Sequence, residues 1–201
     1  MRFFDGTPHN APNKRVNSAL SKPSASSPAL RFEDVYRAER DYLWRTLRRL
    51  GVSERHLEDV AHDVLVVVHR KLLDYDPTRP LRPWLFGIAT RVASDFRRRA
   101  SNVYETPRED VEGIVEDIQT DAPDRMLEDA QRRALVYRAL DALDEDKRAV
   151  FILHEIDNET IPIVAEALGI PLNTAYSRLR VAREEFALQI RRIEAGSRGQ
   201  R

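Results

Sequence analysis

Read for the spacing of its apolar residues, the chain is a succession of helical stripes separated by breakers. From Arg31 to Leu50, the residues Phe32, Val35, Tyr36, Leu43, Leu47 and Leu50 recur at helical intervals, and Gly51 closes the stripe. A second helix is predicted from Ser53 or Glu54 to Leu73, with Leu57, Val60, Ala61, Val64, Val68 and Leu72 facing inward. The segment YDPTRPLRP that follows holds three prolines in nine residues, which excludes helix interior and central strand alike. Pro83 suits the first turn of a third helix, read from Trp84 to about Arg99 with Leu85, Ile88, Ala89, Val92 and Phe96 inward. After a stretch with little apolar periodicity, Leu127 to Leu143 predicts another helix, with Leu127, Ala130, Ala134, Leu135, Ala139, Leu140 and Leu143 as its core side. A short helix is read over Lys147–Glu155.

The last pattern, NETIPIVAEALGIPLNTAYSRLRVAREEF from Asn158 to Phe186, is two stripes joined by a tight turn. Ile161, Val164, Ala165 and Leu168 share one face of the first helix, which stops at Gly169, a residue suited to a left-handed helix end. Ile170 and Pro171 carry the turn, and Asn173 or Thr174 is placed to cap the second helix. Ala175, Leu179, Ala182 and Phe186 form the second stripe, and Tyr176, Ser177, Arg178, Arg180 and Arg183 lie opposite. This is helix–turn–helix patterning, in which a second helix enters the major groove and its cations hold phosphates. The plainer alternative is a helical hairpin with solvated arginines. No segment alternates with period two over a strand's length. The expected fold is all-α: two small helical domains joined by a linker, the C-terminal one a helix–turn–helix.

Charge divides the chain further. Its 201 residues are formally neutral, yet residues 1–30, 31–100, 101–131 and 132–201 carry +3, +4, −8 and +1. Neutrality is therefore made by one acidic segment in an otherwise mildly basic chain. The expected division is a disordered tail at 1–30, a helical domain at 31–100, an acidic linker at 101–126, the helix–turn–helix domain at 127–193 and a tail at 194–201. The absence of cysteine excludes disulfides, thiolate metal sites and a cysteine nucleophile. No apolar run reaches the roughly 18 to 20 residues that cross a bilayer, and the N-terminus lacks a signal peptide's apolar core. A cytoplasmic protein without membrane insertion is expected. There is no Gly-rich phosphate loop and no GxSxG elbow. Asp59, His62 and Asp63 stand at i, i+3 and i+4 with His69 two turns on, but a carboxylate-bridged metal bundle needs matching pairs from a second helix. Neither enzyme activity, nor metal, nor cofactor is expected.

The block from Glu58 to Arg99 combines an exposed acidic cluster (Glu58, Asp59 and Asp63, with His62), a proline-rich loop bearing Tyr75, Arg79 and Arg82, and a helix opened by Trp84 and ending in Arg97, Arg98 and Arg99. Rings beside guanidinium groups suit single-stranded nucleic acid, whose bases stack and whose phosphates pair. Taken in order, EDVAHDV, RPWLFGIATRVASDFRRR and LDEDKRAVFILHEIDNETIPIVAEALGIPLNTAYSRLRVAREEF resemble the bacterial RNA polymerase sigma factors of the extracytoplasmic-function group. The resemblance covers about Phe32 to Arg99 and Leu127 to Arg192.

That resemblance implies core RNA polymerase as partner, through its β′ coiled coil and β flap, with promoter DNA as target and an anti-sigma factor as regulator. It implies that Asp59, His62 and Asp63 dock on the β′ coiled coil, His62 replacing a customary glutamine. The loop from Tyr75 to Pro83 would capture a flipped −10 base, with Tyr75, Arg82, Trp84, Arg91, Arg97, Arg98 and Arg99 beside the melted strand. Thr174, Tyr176, Ser177, Arg178, Arg180 and Arg183 would face the −35 duplex. Departures from the family pattern fall on Thr90-Arg91, Asp144, Asn158, Pro162, Asn173 and Tyr176, and bear on which promoter is read. Two other readings remain at this stage. One is a helix–turn–helix regulator that binds duplex DNA without sigma activity, and the other is a polymerase-binding protein that no longer recognises promoters.

Overall fold

The computed structural model describes residues 30–103 and 124–198, and all the regular elements among them are helical. The order is α1 (Phe32–Arg49), α2 (Glu54–Lys71) with a 3-10 turn at Leu72–Asp74, α3 (Leu81–Val103), α4 (Asp124–Asp141), α5 (Glu145–Phe151) running into a π-helical turn at Ile152–Ile156, α6 (Ile161–Leu168) and α7 (Leu172–Arg198). The all-α expectation holds. The expected tail through residue 29 and the linker between 104 and 123 lie outside the described residues.

The sequence stripes become the packing surfaces. Leu43 and Leu47 of α1, Leu57, Val60, Val64 and Val68 of α2, and Leu85 and Ile88 of α3 are buried against one another. In the second half, Leu140 and Leu143 meet Val150 and Leu153, and α6 and α7 close over them with Val164, Ala175, Leu179 and Ala182. The two halves are not apart in space. α3 lies against α6 and α1 against α4, so one buried cluster runs through both. At the crossing, Gly87 of α3 sits beneath the Ala167 carbonyl of α6. A Cβ there would overlap that oxygen, so only glycine permits this approach.

Several boundaries differ from the sequence reading. α3 begins at Leu81 rather than Trp84, with Pro83 still in its first turn. It continues to Val103, so Arg97, Arg98 and Arg99 do not form the last turn of their helix. α7 begins at Leu172, placing Asn173 and Thr174 inside its first turn rather than at a cap, and it runs on to Arg198. The short helix spans Glu145 through Ile156 once its π turn is included. Tyr36, read as core, is 41% exposed, whereas Tyr42 is buried.

Two of the family departures acquire local reasons. Asp144 is the N-cap of α5, its Oδ1 accepting the Lys147 amide at 2.9 Å. Asn158 follows the π turn at φ +59°, in the left-handed region that asparagine tolerates better than most side chains. The turn within the helix–turn–helix is made at Gly169, φ +67°, as the sequence predicts. No helix among the described residues is long and apolar enough to cross a membrane.

Candidate nucleic-acid interface

α7 presents the predicted basic face. Tyr176 is a large apolar side chain left 54% exposed, and Ser177 turns its hydroxyl back to donate to the Thr174 carbonyl at 3.0 Å. The three arginines are each held by a carboxylate. Arg178 reaches Asp146 on α5, Arg180 meets Glu184 one turn on at 2.8 Å, and Arg183 meets Glu155 at 2.6 Å. These acids, with His154, were not read as part of the face from sequence. His154 Nδ1 lies 2.7 Å from the Glu159 carbonyl, which fixes its proton there and leaves Nε2 to accept from Arg183 at 3.3 Å. Between α6 and α7 an open groove of about 850 Å³ is lined by Thr160, Pro162, Tyr176, Leu179, Arg180 and Arg183. Exposed ion pairs of this kind contribute only about 0–1 kcal/mol, so phosphates can replace the carboxylates at small cost.

The second group gathers at the start of α3. Tyr75 and Trp84 face each other with ring centroids 4.8 Å apart at 49°, and the Tyr75 hydroxyl donates to the Arg79 carbonyl, which fixes the proline loop. Trp84 is half-buried, with part of its ring packed on the core. Asp76 holds the same loop through the Thr78 amide and hydroxyl, bonds that pull its carboxyl below the ordinary range. Arg82 pairs with Glu39 at 2.9 Å and lies over the Tyr42 ring at 5.0 Å.

Further along α3 the predicted cations diverge. Arg91 is exposed and donates to the Ala167 carbonyl at 3.5 Å. Arg97 turns inward, donating to the Leu50 carbonyl at 2.5 Å and to Glu145. Arg98 pairs with Asp95 on its own helix, and Arg99 reaches the Asp95 carbonyl at 3.3 Å and Asp63 at 3.7 Å.

Asp59, His62 and Asp63 are all exposed along one side of α2. Beside them, α1 and α2 bound an open groove of about 630 Å³ that includes Tyr36, Trp44, Arg45, Glu58 and His62. Trp44 was not flagged from sequence. Its signal was phase, since it falls beside Leu43 rather than on the buried stripe and remains 37% exposed. His69 stands edge-on to Phe32 at 5.0 Å, and among the described residues no three His, Asp or Glu side chains form a metal-binding group.

Residues 35–103 match the model for Sigma-70 region 2, and residues 131–186 match Sigma-70, region 4; together they cover more than half of the chain. The RNA polymerase sigma factor NccH of Alcaligenes xylosoxydans xylosoxydans is 27% identical over 172 residues, spanning 85% of this chain and 92% of that protein. Among solved structures, CnrH in complex with the cytosolic domain of CnrY superposes with a TM-score of 0.54 at 25% identity, covering 78% of this chain and 85% of that one. The sigma factor RpoE of Bartonella quintana, bound to the anti-sigma factor NepR, shares the fold with a TM-score of 0.61 at 21% identity, over 80% of this chain and 96% of that one.

Proposed function

This chain belongs to the extracytoplasmic-function group of sigma-70 factors and directs promoter-specific initiation of transcription, and we propose how its surfaces divide that work. The observation that carries the division is the presence, in one chain and in order, of an aromatic and arginine site for single strand and an arginine helix for duplex.

The exposed side of α2, with Asp59, His62 and Asp63, docks on the β′ coiled coil of core RNA polymerase, and the C-terminal half reaches the β flap. Thr174, Tyr176, Ser177, Arg178, Arg180 and Arg183 hold the −35 duplex. Tyr75 and Trp84 stack an extruded −10 base, while Arg82, Arg91 and the Arg97–Arg99 run hold the strand. Extruding a base costs a few kcal/mol, which the preformed aromatic pair and polymerase binding together offset. The chain works by binding alone, in the cytoplasm where polymerase and promoter meet. Two relatives were solved with CnrY and with NepR bound, which supports an anti-sigma factor as its regulator.

Run-off transcription with purified core polymerase tests the reading. Addition of the chain is expected to start transcripts at discrete promoters of the source genome. Transcription no higher than with core alone, over the whole genome, overturns it and leaves the duplex-binding regulator.

A further inference from the structure

Behind the arginine face of α7 stands the π turn that ends α5. It closes with the Asp157 amide donating to the Ile152 carbonyl and the Glu159 amide to the Leu153 carbonyl, each at 3.0 Å, and it sets His154 and Glu155 against α7. One Glu155 oxygen lies 2.6 Å from both Nε and Nη2 of Arg183, and His154 Nε2 lies 3.3 Å from the same Nη2. On its far side the imidazole is pinned through Nδ1 to the Glu159 carbonyl at 2.7 Å. A carbonyl accepts only, so Nδ1 carries the proton and the neutral ring offers Nε2 as an acceptor. Arg183 is thereby held from two directions, and the guanidinium and carboxylate cancel. The three side chains present no net charge to the α6–α7 groove, which His154 and Arg183 both line.

A second proton on the ring reverses one link. Imidazolium has no lone pair, so Nε2 turns from acceptor to donor and faces Arg183 as a second cation. The Glu155 oxygen that holds Arg183 stands 3.7 Å from Nε2 and becomes its acceptor. Arg183 then loses one partner and shares the other, while the group gains one positive charge. The other charges about the ring are Arg180 and Glu184 of α7, paired with each other, and the Asp157 and Glu159 carboxyls that follow in the turn. To this groove α6 contributes Ile161 and Pro162, which carry no charge.

We propose that His154 is a positioning residue for −35 binding: neutral, it helps Glu155 hold Arg183, and protonated, it releases the guanidinium to the phosphate backbone. The proposal rests on the −35 reading of α7 given above. DNA favours the form with Arg183 released, which is the form with the ring protonated. Binding therefore takes up a proton, and affinity for −35 duplex rises as pH falls through the range in which imidazole titrates, about pH 8 to 5. A ring that served only to lock the turn would affect stability and leave this profile alone.

The test is binding of the full chain to a duplex carrying the −35 element of a promoter found by run-off, measured across that pH range at several salt concentrations. Affinity is expected to rise about two- to fivefold toward acid, in line with release from an exposed ion pair, and the salt slope to steepen by about 1 as Arg183 gains a phosphate. His154→Gln supplies a neutral amide that accepts from Arg183 and takes up no proton, and should hold the alkaline affinity throughout. Any share of the response from Glu159, whose carboxyl burial and Asp157 push upward, persists in that variant and is subtracted. Arg183→Ala should bind more weakly and lose the gain, and it decides the matter alone if His154→Gln does not fold. The same pH profile in wild type and His154→Gln overturns the proposal and leaves the −35 reading intact. A gain of full size in Arg183→Ala also overturns it, by making the ring a direct contact. A wild-type chain that binds the duplex at no pH removes the −35 reading itself.

Discussion

Asn158, one of the departures from the family pattern, occupies a backbone position that few side chains tolerate. It takes φ +59°, a conformation that costs an ordinary side chain roughly 1–2 kcal/mol. Asparagine pays less because its short amide tolerates this region. Asn158→Ala is therefore expected to destabilise the chain by about 1 kcal/mol, whereas Asn158→Gly should leave stability unchanged or slightly raised. Denaturant titration of the three proteins checks this, and equal losses for alanine and glycine would show that the asparagine side chain matters rather than the backbone. Asp144 is the companion case, since its carboxylate caps α5 through the Lys147 amide. Burial pushes that carboxyl upward, but the bonds and charge of Lys147 outweigh it and hold it below the ordinary range. Its carboxylate thus anchors the start of α5.

At the scale of elements, periodicity revealed which segments are helices but not where all of them start. Leu81 and Arg82 lie in a proline-rich stretch that reads as loop, yet Pro83 occupies a first turn that can begin two residues earlier. The π turn after α5 leaves no periodic signal, because a single wider turn shifts the stripe rather than ending it. The exposed face of α7 was legible, since Ala175, Leu179 and Ala182 fixed its buried side. The acids that hold its arginines were not, because Asp146 and Glu155 arrive from another element. This pairing shapes the expected mutational response. Arg180→Ala should weaken binding of the full chain to −35 duplex and reduce its salt slope by about 1, the signature of one lost phosphate contact. Glu184→Gln frees the same guanidinium, and is expected to tighten binding about two- to fivefold, in line with an exposed ion pair. Binding measured across a salt series reads both, and an unchanged slope in Arg180→Ala would turn this helix away from DNA.

For the whole molecule, the contacts between halves were the least legible feature, because Tyr42–Asp157 and Arg97–Glu145 join single polar residues 115 and 48 positions apart. They also give the chain a pH response with two opposing limbs. Burial pushes Asp157 above the ordinary carboxylate range, against the pull of Tyr42 and Arg49. The folded form therefore takes up this proton before the unfolded form does, and stability rises as pH falls through the raised value. Burial acts on Glu145 as well, but its bonds from Arg97 and Ser94 prevail and hold it low. Its contribution is complete above the unfolded value of about 4.3 and is lost as pH falls below it. The thermal midpoint is thus expected to climb on mild acidification and then drop as Arg97 is released. Asp157→Asn should flatten the climb and leave the drop, and Glu145→Gln should do the reverse. A midpoint that declines steadily from neutrality, alike in wild type and Asp157→Asn, would show that the buried carboxylate between the halves does not set this response.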